Sequence, residues 1–170
     1  THGQELFSFS FLYFLMTNQI FSLDIDQDIL LKRYHTVRAQ SHIICKPLQV
    51  EDYVVQPVVD VSPPKWHLAH TTWFFETFIL KEHYKGYQLF DKHFPFLFNS
   101  YYVGVGDRWT RAERGHLTRP SVQEIMAYRA HVDEHMNMFL SQTEMDDSLK
   151  YVFEVGLQHE QQHQELLLYD

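Results

Sequence analysis

Toward the end of the chain, Leu149, Val152, Phe153, Gly156, His159, His163, Leu166 and Leu167 recur at three- and four-residue steps. That period places them on one side of a helix and excludes a strand, whose faces alternate every second residue. Two imidazoles lie on this otherwise apolar stripe, so the helix must carry them into whatever it packs against. The same periodicity appears from Asp26 onward in Leu30, Tyr34, Val37 and Ile44, and Pro47 stops it. After a β-branched linker from Val54 to Val61, Ser62-Pro63-Pro64 reads as an N-cap with proline in the first turn. That second helix is expected to reach about Tyr84, with His70, Trp73, Thr77, Leu80 and Tyr84 on one face. A third begins at Ser121, whose capping box Glu124 completes, and carries Ile125, Tyr128, Val132, His135 and Phe139 inward to about Gln142. The last starts near Asp146. Four helices with no run of alternating strands predict an all-α helical bundle.

A length of 170 residues is ample for one core without disulfide or metal staples. Cys45 is the single cysteine, which rules out a disulfide framework and makes a reducing cytoplasm the default. A net charge of −8 argues against a nucleic-acid partner, which calls for a basic face. The apolar run Leu6 to Met16 is too short to span a membrane, and neither a basic region before it nor a small-residue cleavage site after it marks a signal peptide. Met16 opens a polar stretch, so residues 1–15 read as foreign to the fold. The domain division expected is an extension over residues 1–22 and a bundle over residues 23–170.

The connection from Lys85 to Pro120 is long for a bundle, and such loops are functional or carry a crossover. Its aromatics (Phe94, Phe96, Phe98, Tyr101, Tyr102, Trp109) call for packing against the body. It also holds Arg108, Arg111, Arg114 and Arg119, four of the seven arginines. Clustered guanidinium groups suit carboxylates or phosphates; a solvated loop pairing with Asp107 and Glu113 fits the pattern equally.

Histidine is over-represented, at 12 residues, and the sharpest chemical signal is His159-Glu160-Gln161-Gln162-His163. Histidines at i and i+4 point the same way one turn apart, a spacing that suits two imidazoles on one metal ion. HEQQH also matches the H-E-x-x-H metalloprotease pattern. That reading needs a third ligand beyond the motif and Glu160 as general base, whereas little chain follows His163, and Glu160 lies beside the stripe. A third ligand is therefore expected upstream, from His67 or His70 in WHLAH, or from His131 or His135 in HVDEH. The second helix is favoured because Trp66, Trp73 and Phe74 make it the most apolar part of the chain; His131 and His135 flank Asp133 and Glu134 and read as a polar face. His70 lies early in its helix and His159 and His163 late in theirs, so meeting at one ion requires antiparallel helices. An up-down-down-up order provides this, with the long crossover between helices two and three.

Three runs in order, SPPKWHLAHTTWFFE, RAERGHLTRPSVQEIMAYRAHVD and GLQHEQQHQELLLYD, resemble the N-terminal DinB-like domain of the ergothioneine-biosynthesis sulfoxide synthases. The resemblance covers about Asp26 to Asp170. It implies a DinB-like four-helix bundle binding non-haem iron(II) through His70, His159 and His163. It further implies that Arg111 and Arg114 hold the carboxylates of a cysteine-type thiol, often γ-glutamylcysteine, and that Gln162 contacts hercynine. The family joins the two with O2 to form a sulfoxide. Three imidazoles leave positions open on an iron ion, yet a three-histidine site also suits zinc or nickel.

Family members continue past HEQQHQELL into a second domain resembling formylglycine-generating enzymes, which contributes a tyrosine near the iron. This sequence stops at Asp170, so the expectation is a metal-binding half of a larger or split enzyme, without synthase activity alone. A missing domain or a second copy would cover the loop aromatics. Two other functions fit the same residues: a stand-alone DinB-like metal-dependent thiol transferase, and a non-catalytic remnant whose histidines only stabilise the bundle.

Overall fold

The structure is a computed structural model that describes residues 27–100 and 107–170. The expectations for residues 1–22 and for Tyr101 and Tyr102 lie outside the described residues. The regular elements among them are all helical, with no strand among the described residues, and none of their helices is long and apolar enough to cross a membrane.

Helix α1 (Gln27–Cys45) ends just before Pro47. A single 3-10 turn at Asp52–Val54 leads toward α2 (Pro64–Phe75). Ser62 is not the N-cap that its spacing suggests: Pro63 occupies that position without a side-chain cap, and the Ser62 hydroxyl accepts a hydrogen bond from Arg114 Nη1 at 2.8 Å. Pro63 has no side-chain acceptor, and its carbonyl instead takes the Trp66 and His67 N–H groups. Beyond Phe75 the chain stays helical but widens into a π-turn, Glu76–Leu80, before a last α-turn, α3 (Lys81–His83). Glu76, the first residue of this turn, is fully buried. Its carboxylate accepts from Tyr87 Oη, Tyr128 Oη and the Phe90 backbone N–H.

Within the long connection, α4 (Phe94–Phe98) buries Phe94 and Phe98 while Phe96 stays exposed. A 3-10 segment, Arg111–His116, follows. Helix α5 (Val122–Gln142) opens with both halves of the expected capping box. Helix α6 (Asp147–Tyr169) opens on Asp146, whose carboxylate accepts the Leu149 N–H at 2.8 Å.

Helix α2 packs against both α5 and α6, and α1 covers the same two helices from another side. Every residue from Lys65 to Phe75 is buried, which explains the absence of a polar face on α2. Between α2 and α6, the contacts His67–Asp170, His70–His163 and Phe74–His159 run in opposite chain directions, so these helices are antiparallel. Along the helical run that α2 begins, the pairs Lys65–Pro120, Thr72–Arg129 and Tyr84–Phe139 advance in the same direction as α5. Gly156 permits a close approach of α6 to α2: a Cβ there would stand 2.7 Å from Phe75 Cε1 and 2.9 Å from Phe74 Cε1.

The buried face of α1 departs from the apolar stripe. Leu30 and Tyr34 are inside as expected, but Arg38, Ser41 and Cys45 continue the face, with Val37 and Ile44 at its margin. Arg38 tolerates burial because Asp133 and Glu160 both accept from it. On α5, likewise, Arg129 and Met136 are buried where His135 is only partly so.

Candidate metal centre

His70 sits mid-way along α2 with its ring between two indoles. Trp66 stacks on one side at 4.4 Å between centroids and Trp73 on the other at 5.5 Å. Its Nδ1 lies 2.5 Å from the Phe98 carbonyl oxygen. A carbonyl can only accept, so Nδ1 carries the proton and Nε2 keeps its lone pair. Helix α4 therefore sets the tautomer of a histidine on α2.

His159 and His163 approach from α6, with ring centroids 4.8 Å from that of His70 in each case and 4.6 Å from each other. One ring nitrogen from each of the three lies within 4.8 Å of the others. An ion with metal–nitrogen bonds of about 2.1 Å spans at most about 4.2 Å, so coordination draws the rings slightly together. Burial pushes the pKa of His159 down to about 4, against the opposing influence of Glu160. Burial and the neighbouring imidazoles hold His70 and His163 well below the ordinary histidine range. All three are neutral at pH 7, the form in which imidazole ligates. The Nδ1 of His159 is buried without a hydrogen-bond partner, an atom that a bound group would satisfy. Donor type, protonation state and convergence all fit a transition-metal ion.

The family model of the DinB superfamily matches residues 33–167. The chain belongs to the DinB superfamily. No curated protein matches it. The three-histidine group of this DinB-superfamily chain can hold a metal, and it draws on the helices that the HLAH and HEQQH motifs occupy.

The neighbouring histidine of WHLAH has a different position. His67 Nδ1 lies 2.7 Å from His163 Nδ1, and its Nε2 lies 3.1 Å from Asp170 Oδ2. Nothing in the sequence marked Asp170 or the Phe98 carbonyl as parts of the site, because both arrive by tertiary folding. His131 and His135 stand apart, against Tyr87 at 5.8 and 5.1 Å; they form a half-buried aromatic cluster rather than a solvated polar face.

Glu160 points away from the three histidines. Its carboxylate accepts from Arg38 Nη1 and Arg129 Nη2, both at 2.9 Å, and from Ser41 Oγ at 2.6 Å. Burial alone would raise its pKa, but the two guanidinium groups and the hydrogen bonds outweigh that and hold it at about 2. A carboxylate so engaged cannot serve as the general base of a metalloprotease.

Arg114 is buried over the Trp66 ring, 3.3 Å from its centroid, and donates to Ser62 Oγ and Ser100 Oγ at 2.8 Å each. It thus continues the stack that holds His70. Arg111 donates to the Asp60 carbonyl, and Arg108 to the Ser100 carbonyl at 2.7 Å. Gln162 is exposed on α6, one residue before His163.

Proposed function

We propose that this chain is a metal-binding DinB domain in which His70, His159 and His163 hold iron(II), and that it serves an O2-dependent sulfoxide synthase of the ergothioneine-biosynthesis type. The observation that carries the metal reading is the convergence of three neutral imidazole nitrogens within 4.8 Å. What supports iron and the reaction is the resemblance of the three sequence runs; a three-histidine set by itself also accepts zinc or nickel. The proposed architecture is the up-down-down-up bundle, supported by the antiparallel contacts of α2 with α6 and the parallel contacts of α2 with α5.

In the proposed reaction a cysteine-type thiol loses S–H and the imidazole of hercynine loses C–H. O2 takes up four electrons, placing one oxygen on sulfur and releasing the other as water. A bound iron supplies the redox chemistry. The chain's own residues orient and shield: Trp66 and Trp73 clamp His70, and the Phe98 carbonyl fixes which nitrogen faces the centre. Arg114, on the Trp66 face opposite that stack, brings positive charge beside the site and is proposed to hold a thiol-substrate carboxylate. Arg111 is proposed to share that role and Gln162 to contact hercynine. A partner domain, or a second copy of the chain, is proposed to complete the pocket.

The test is metal analysis of anaerobically purified protein, followed by incubation with hercynine, γ-glutamylcysteine and O2. The incubation is run with and without a separately supplied formylglycine-generating-enzyme-like domain. Iron at one equivalent and sulfoxide formed in the presence of that domain are expected; no product in either arm sinks the synthase reading. Metal-dependent conjugation of a thiol to an electrophile by the chain alone would establish the thiol-transferase reading instead.

A further inference from the structure

His67 is buried, faces His163 rather than the centre of the histidine group, and stands in the middle of a line of three side chains between His163 and Asp170. Asp170 Oδ2 receives two N–H groups from the start of α2. The Ser62 backbone N–H lies 3.2 Å away and His67 Nε2 lies 3.1 Å away. The acceptor is thus held from two points at and just before the start of α2, although it is the C-cap of α6.

We infer that Asp170 and His67 form a hydrogen-bonded relay that locks His163 in its Nδ1–H tautomer and presents Nε2 to the metal. The inference rests on the metal-centre reading and deepens it. The direction of each bond follows from donor chemistry. A carboxylate accepts, so His67 Nε2 donates. A neutral imidazole has one donor and one acceptor nitrogen, so His67 Nδ1 accepts. The facing atom, His163 Nδ1, at 2.7 Å, must then donate, which leaves the lone pair on His163 Nε2. The same result reaches His70 by a separate route, since its Nδ1–H is spent on the Phe98 carbonyl. Two of the three candidate ligands therefore have their outer nitrogen committed before any metal arrives, one by a carbonyl and one by an imidazole–carboxylate pair. Such outer partners fix ring orientation and raise ligand basicity. His67 and Asp170 are positioning residues, which explains why WHLAH carries two histidines when the centre uses one.

The test begins with the metal-free wild-type protein labelled with 15N-histidine. Two-bond 15N–1H correlation spectra are expected to show His163 as the Nδ1–H tautomer and His67 as the Nε2–H tautomer. His163 resonances are assigned by their loss in His163→Gln. Cobalt(II) is then titrated alone. His67→Phe keeps an aromatic ring but no acceptor, and is expected to weaken cobalt affinity about 10- to 100-fold and to shift the visible ligand-field bands. His67→Gln restores an acceptor and is expected to recover most of the affinity. A proton on His163 Nε2 in the wild type overturns the relay. So does wild-type cobalt affinity in His67→Phe with an unchanged far-ultraviolet circular dichroism spectrum. If His67→Phe does not fold, the wild-type tautomers decide the matter. Failure of the wild type to bind cobalt overturns the metal centre and the relay together, whereas normal binding with the opposite tautomer overturns the relay alone.

Discussion

Arg38 on α1 and Glu160 on α6 form a wholly buried ion pair, Nη1 to Oε2 at 2.9 Å, with side chains 3% and 1% exposed. Arg129 of α5 donates to the other carboxylate oxygen, so one acid ties three helices together. Removing the charge leaves two buried guanidinium groups under-compensated. Glu160→Gln is expected to lower unfolding stability by about 3–5 kcal/mol, read from urea denaturation. Zinc affinity at the three histidines is expected to change little, because Glu160 faces away from them; loss of zinc binding in a folded variant would contradict that placement.

Gly156 controls the spacing of α2 and α6. A methyl group there meets the buried rings of Phe74 and Phe75 inside 3.0 Å. Gly156→Ala is expected to cost about 1–3 kcal/mol through overpacking, despite the gain in helix propensity. Because His159 lies one turn further along, its metal affinity is expected to drop as well, as isothermal titration with zinc would record.

His70→Ala removes a candidate ligand and the ring between two indoles. In the wild type, zinc at a hundred times its dissociation constant is expected to add about 2.7 kcal/mol of stability. In the variant that increment is expected to vanish, so differential scanning fluorimetry with and without zinc gives one curve instead of two. An undiminished zinc shift would remove His70 from the ligand set.

Acid is expected to unfold the metal-free protein in two stages. His159 titrates at about 4 when folded against an ordinary 6.5, and His67, His70 and His163 are lowered too. The unfolded chain takes up these protons first, so stability is full above about pH 6.5 and declines as pH falls toward 4. Glu160, at about 2 against 4.5, adds stability that is present above pH 4.5 and lost as pH falls toward 2. Melting temperature measured from pH 8 to 3 is expected to be flat, then to fall through both windows. Metal binding is expected to weaken through the first, since the ligands must shed protons.

The sequence reads clearly where chemistry and period coincide. HEQQH marks its own candidate ligand pair because the i, i+4 spacing is local, and the ends of α5 follow from Ser121, Glu124 and Gln142. It reads poorly where polar residues are buried. Arg38, Ser41 and Arg129 look like surface residues until Glu160 and Asp133 arrive from other helices to satisfy them. The burial of Glu76 in the π-turn Glu76–Leu80 is equally hidden, since the three donors that satisfy it come from Tyr87, Phe90 and Tyr128, outside that turn.

By itself, then, the sequence determined the helical character of the described residues, the positions of the breaks and a histidine pair at metal-ligand spacing, because each depends on residues within a few turns of one another. Only the tertiary structure decided between the two histidines of WHLAH on geometric grounds. His70 faces His159 and His163, while His67 bridges His163 to Asp170. The reason is that three residues along a helix are not quite one full turn. That difference in angle puts one imidazole toward the centre and the other toward the chain end, and only the packing of α6 reveals which is which.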